Sequence, residues 1–188
     1  MKKRIFLPAL LLAALLCGCA GNANTKPAQG GIVCTTQQLA GLTERLLAGT
    51  AAEQTAPVAS VVSEPVSCLH DYTLSVRQMQ LLEGAAVVIE SGLGLEDFMD
   101  DALRAASCPR ITASAGVAAL PSDEDPDEPD PHIWLAPANC AQMARNIAEG
   151  LAEIYPDDAA RLRENAEDYA REMAELQAYG EQQLADLA

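Results

Sequence analysis

The stretch Gly31-Ile-Val-Cys-Thr-Thr-Gln-Gln-Leu-Ala-Gly-Leu-Thr-Glu-Arg-Leu-Leu-Ala-Gly49 changes its period in the middle. Residues 31–36 are a short β-rich run; from Gln37 onward the leucines at 39, 42, 46 and 47 recur at helical spacing, and Gly49 ends the turn. A strand that passes directly into a helix is one step of a βαβ unit, and the step recurs downstream. Residues 56–62 are a second strand candidate and 75–83 a helix. Residues 85–90 are a third strand, 96–107 a helix and 110–114 a fourth strand. Short strands separated by helices imply crossover connections, so the expected class is α/β, a four-stranded parallel sheet with flanking helices.

Ser75 stands three residues before Gln78, the spacing of a capping box. The preceding loop must therefore end there. Residues 69–73 fall between a strand's carboxyl end and a helix's amino end, where open α/β sheets hold their ligands, and His70 is among them. Toward the other terminus, Pro137 starts a helix through about Ile154, Pro156 interrupts, and Asp157 or Asp158 caps a final helix. Along it Leu162, Ala166, Tyr169, Met173, Leu176, Gly180 and Leu184 alternate spacings of four and three, a narrow apolar seam that calls for packing on a neighbour.

The 188 residues carry 27 acids against 12 basic residues, a net charge of −15, with 49% apolar residues. That is enough apolar content for one domain or slightly more. The charge excludes a nucleic-acid partner, because phosphate contacts need a basic face. Cations are the natural partners. Lys2, Lys3 and Arg4 precede an apolar run over residues 5–16 that is too short to span a membrane and has the form of a signal-peptide core, residues 1–18. Leu16-Cys-Gly-Cys19 resembles a bacterial lipobox, whose last cysteine becomes the lipidated first residue. The expectation is lipidation at Cys19, a polar lipidated tether over residues 19–30, and an extracytoplasmic lobe over 31–155 held to the cell membrane. Plain secretion and a spanning anchor are the alternatives. Cys34, Cys68, Cys108 and Cys140 remain, as structural thiols or bridges; they allow three pairings and contain no Cys-x-x-Cys pair from which to build a zinc site.

Two histidines exist, His70 and His132. Neutral imidazole is the commonest side-chain ligand for zinc-like cations, and two at one sheet edge make a plausible half-site, since tetrahedral zinc takes four ligands. In Asp130-Pro131-His132-Ile133-Trp134-Leu135 the prolines at 131 and 137 stiffen the segment and predict an extended presentation of the ring. Just before it, residues 121–131 contain six acids and four prolines. This composition cannot pack and predicts a mobile, solvated loop. Asp123, Glu124, Asp125, Asp127, Glu128 and Asp130 are either a cation-attracting funnel or a solvated linker. Gly92-Leu-Gly-Leu-Glu96 lacks the lysine of a phosphate loop and the third glycine of a dinucleotide fingerprint, and is read as a turn. There is no His-Glu-x-x-His pair, and a Cys68–His70 nucleophile is disfavoured because extracytoplasmic thiols oxidise. No enzyme is expected.

Taken in order, His70-Asp-Tyr72, Ser75, Val87-Val-Ile-Glu-Ser-Gly-Leu-Gly-Leu-Glu96, Asp130-Pro-His-Ile-Trp-Leu135 and the helix containing Asn139 resemble the solute-binding lipoproteins of zinc and manganese ABC importers, cluster A-I. The resemblance runs from about Gly31 to the last residue. It implies two lobes joined by one long rigid helix, a zinc or manganese ion in the cleft, and delivery to an importer permease. It assigns one imidazole each to His70 and His132, with a further His or Glu and an Asp from the second lobe. It makes residues 156–188 the linking helix and leaves the second lobe absent. A separately encoded lobe, a second copy or the rest of an interrupted gene would then complete the site. Zinc and manganese stay open, because the missing ligands decide between them. The competing expectation is a lipid-anchored, adhesin-like surface protein that no longer transports metal and binds a partner through the seam of residues 162–187.

Overall fold

A computed structural model describes residues 30–63, 72–123 and 125–185. Strands β1 (Ile32–Thr36), β2 (Val58–Val62), β3 (Val87–Glu90) and β4 (Arg110–Thr112) form one sheet in the order β2-β1-β3-β4, every pair parallel. Ile32 stands opposite both Val58 and Val87, so β1 is central. Residues 32–35 of β1 are all buried, as a strand covered on both faces requires. Alternate residues serve opposite layers. Ile32, Cys34, Val87 and Ile89 join the core under helices α1 (Gln37–Leu47), α5 (Pro137–Ile154) and α6 (Ala159–Leu184), and the short α2 (Ala52–Thr55) closes its end. Val33, Val61 and Val88 join the smaller core under α3 (Val76–Glu83) and α4 (Asp100–Ala105).

Three departures from the sequence pattern have local causes. The helix expected over 96–107 is divided into a 3-10 turn, Asp97–Met99, and α4, because the Glu96 side chain turns back to the strand ends instead of continuing a helix. Strand β4 stops at Thr112, two residues earlier than expected, and the carbonyls of Ala113 and Ala115 are taken by Asn146 Nδ2 of α5 at 2.7 and 2.8 Å. The acidic stretch 121–131, expected to lack packing, closes on its own backbone. Pro121 and Pro129 form an antiparallel bridge, Ser122 N donates to Glu128 O at 2.8 Å, Asp130 N donates to Leu120 O at 2.7 Å, and the Asp125 carboxylate accepts from Asp127 N at 3.0 Å. The described carboxylates of the stretch still face water, apart from the half-buried Asp130. Composition forbids an apolar core there but not a turn built from backbone and aspartate oxygens.

Helix α6 has 26 residues, about 39 Å of helix at 1.5 Å per residue. Leu162, Ala166 and Ala170 are buried against the lobe. Asn165 Nδ2 donates to the carbonyls of Leu46 and Ala48, both at 2.8 Å, tying α6 to the end of α1. Arg145 with Glu167 and Arg163 with Glu149 bracket α5 and α6. The seam is therefore covered as far as Ala170. Beyond it, Leu176 and Leu184 are 52% and 59% exposed. Among the described residues no helix is long and apolar enough to cross a membrane. Cys34, Cys108 and Cys140 are free thiols, and Cys68 lies outside the described residues.

Candidate metal centre

Parallel strands align their carboxyl ends, here Thr36, Val62, Glu90 and Thr112. The loop that follows β2 carries His70, and the loop that follows β4 carries His132. These are the two outer strands, so the loops leave the sheet ~14 Å apart at the usual interstrand spacing. His70 itself lies outside the described residues, as do Cys19 and Glu124. The end of its loop is fixed two residues later. Gln78 Nε2 donates to Tyr72 Oη and to Val61 O, both at 2.6 Å, and the Tyr72 ring meets Phe98 edge-on at 5.8 Å. The capping box expected at Ser75 is present: Gln78 N donates to Ser75 Oγ at 3.4 Å and Ser75 N to Gln78 Oε1 at 2.8 Å.

His132 sits at the amino end of α5. Its backbone, φ −78° and ψ 41°, is not the extended presentation expected from the flanking prolines; it leads into a 3-10 turn, Ile133–Leu135. Buried Ile133 anchors that turn, and Pro137 opens α5 where a missing N–H is harmless. Cys140 Sγ donates to Trp134 O at 3.0 Å and ties the turn to the helix. The imidazole lies 5.4 Å from the Trp134 ring, and its side chain is 55% exposed.

One Asp130 oxygen, Oδ1, accepts from His132 N at 2.9 Å and stands 2.7 Å from His132 Nδ1. A carboxylate here accepts only, so Nδ1 carries a proton and, in the neutral ring, Nε2 keeps its lone pair, the arrangement that prepares a histidine for a cation. The backbone N–H of His132, followed by its ring N–H, holds the Asp130 carboxyl below its usual range. The pair opens on a cavity of about 380 Å³ whose lining includes Ala118, Ala119, Leu120, Ile133 and Asn139. Sequence reasoning placed Asp130 among the cation-attracting acids and missed its orienting role. The signal was its position two residues before the histidine, within reach of both the backbone and the ring. Of the expected funnel, Asp123, Asp125, Asp127 and Glu128 are exposed. Among the described residues no three His, Cys, Asp or Glu side chains converge to hold an ion.

Glu96 is a fully enclosed acid at this edge. Its Oε1 accepts from Thr35 Oγ1 and Ser91 N, both at 2.7 Å, and its Oε2 accepts from Gly92 N at 2.9 Å. Burial raises its pKa, and these three donors oppose the rise. Residues 93–96 form the turn expected of this stretch.

The chain is 27% identical over 191 residues to the manganese-binding lipoprotein MntA of Halalkalibacterium halodurans, covering all of this chain and 62% of MntA. It is 27% identical over 199 residues to the zinc-binding lipoprotein AdcA of Streptococcus pneumoniae, covering 96% of this chain and 38% of AdcA. A crystal structure of ZnuA superposes with a TM-score of 0.68 at 25% identity over 78% of this chain and 55% of that one. The chain thus spans between about two fifths and three fifths of the length of these relatives. The sheet order, the long final helix and a family profile that matches residues 32–188 agree: the chain belongs to the family described as zinc-uptake complex component A, periplasmic.

Proposed function

We propose that this protein is the extracytoplasmic metal-binding component of an ABC importer, which captures zinc or manganese and passes it to a permease without covalent chemistry. The observation that carries the reading is His132: its Nδ1 is engaged by Asp130 and its Nε2 is free at a cavity beside the sheet's carboxyl edge. Family membership and the metals in the names of MntA and AdcA support it. His70, on the loop after β2, is the second imidazole of the site. Since the chain spans 62% or less of these relatives, the remaining ligands come from a second lobe. The uncovered end of α6 is where such a lobe adjoins. Cys19 is the lipidated residue that holds the protein at the membrane, and the acidic hairpin raises the local concentration of cations.

The test is calorimetric titration of the protein with zinc and with manganese, using His70→Ala, His132→Ala and the double variant. The expected result is binding in the wild type, a loss of tenfold or more in each single variant and no binding in the double variant. Wild type and double variant binding alike would overturn the assignment.

A further inference from the structure

Gly92, Leu93 and Gly94 have φ angles of 86°, 58° and 82°, three consecutive residues in the left-handed region. Leu93 is the one non-glycine among the described residues with a positive φ. A run of this kind persists only where its surroundings over-determine it. The determining group is the Glu96 carboxylate, which is 5% exposed and gathers Thr35 Oγ1 from β1 with Ser91 N and Gly92 N just past β3. These neighbouring strands mark the point where the strand order reverses.

The run is pressed against the exit of β4. A Cβ on Gly92 would lie 2.4 Å from Ser114 Oγ and 2.7 Å from Thr112 Cγ2, and Ser114 N donates to Ser91 O at 3.0 Å. From Ser114 the chain continues to Ala118, Ala119 and Leu120, which wall the His132 cavity. Leu120 O accepts from Asp130 N at 2.7 Å, and Asp130 holds the ring. Leu93, Val117, Ala119 and Trp134 pack on the same apolar core. The contacts are continuous from the buried carboxylate to the imidazole.

We propose that Glu96 is a positioning residue for His132: its carboxylate fixes the left-handed run against the β4 exit, and so sets the wall on which the Asp130–His132 pair is seated. Its affinity arm rests on the reading of His132 as a metal ligand; its structural arm does not. Without the carboxylate, the N–H groups of Ser91 and Gly92 lose their acceptor. A buried donor cannot be left unpaired without loss, so the loop must re-form and the wall must shift with it.

The experiment compares wild type with Glu96→Gln, which keeps the shape but offers an amide where an oxygen accepted. Thr35→Val, which removes one donor without changing volume, is the second variant. A His70→Ala background isolates the His132 signals, because the chain has two histidines. The side-chain ¹⁵N shifts of metal-free His132 report its tautomer, zinc titration of the proteins with His70 intact reports affinity, and circular dichroism reports folding. In the folded E96Q variant we expect His132 to move from one tautomer to a mixture and zinc affinity to fall about tenfold, as is usual when a partner behind a metal ligand is lost. T35V should shift the same signals less, and it decides the matter if E96Q does not fold. Folded variants whose His132 shifts match wild type would overturn the inference while leaving the metal reading intact. A wild type that binds no zinc, but whose tautomer still follows Glu96, would sink the metal reading alone.

Discussion

His132 and Asp130 show how two residues divide one task. The carboxylate fixes the proton on Nδ1 and the ring presents Nε2, so Asp130→Asn should leave the fold intact and weaken zinc binding about tenfold by calorimetry. The same contact has a pH signature. Asp130's carboxyl is held below its ordinary value, so its contribution to stability is present above the unfolded aspartate pKa of ~3.9 and is lost as pH falls through the lowered folded value. Urea unfolding at pH 6 and pH 3 should therefore show a shallower acid loss in Asp130→Asn than in wild type. Cys34 differs from the other described thiols. Burial pushes it up to about 12, against a hydrogen bond with Thr43, so at neutral pH a maleimide should label it far more slowly than the half-buried Cys140. At this scale both histidines were readable as candidates, because imidazole is scarce here and each sits beside a turn signal. The ring's partner and backbone were not readable, since they depend on a 3-10 turn that Ile133 anchors in the core.

Most elements were readable because each strand ends where the apolar period changes, and the Ser75 box and Pro137 mark two helix starts. The division of the helix after β3 was hidden, because it depends on a side chain that reaches back to Thr35 across 61 residues. Helix α5 carries a second feature that sequence conceals. Gly150 lies in its interior, where alanine is normally favoured by about 1 kcal/mol. A Cβ there would sit 2.6 Å from Ile111 Cγ1 and 2.7 Å from its Cδ1, so β4 packs on the bare backbone. Gly150→Ala should destabilise by about 1–3 kcal/mol in urea unfolding, against its helix propensity. In α6 the two halves of the seam should respond differently. Leu162→Ala removes a fully buried side chain and should cost about 3 kcal/mol, whereas Leu176→Ala, at 52% exposure, should stay within about 0.5 kcal/mol.

Across the whole molecule, the fold class and strand number were readable and the convergence of the two histidine loops was not. A sheet can be inferred from alternating periods, but the convergence of ligands depends on loops that leave opposite edges of that sheet. If the lobe binds zinc with the ligands it has, 100-fold excess over the dissociation constant should stabilise it by about 2.7 kcal/mol, read as a rise in melting temperature that His132→Ala abolishes. The large negative charge should make cation capture faster at low ionic strength, since exposed carboxylates are screened over about 8 Å in ~0.15 M salt. Helix α6 also has a mechanical consequence. Its root is tied to α1 and α5 by Asn165, two arginine forks and the Arg45–Glu172 pair, while the portion after Glu172 extends for about 18 Å as a lever arm. Whatever is fastened to that arm will swing as one rigid extension of the sheet, and a tilt of a few degrees at the root will become an ångström-scale stroke at the tip.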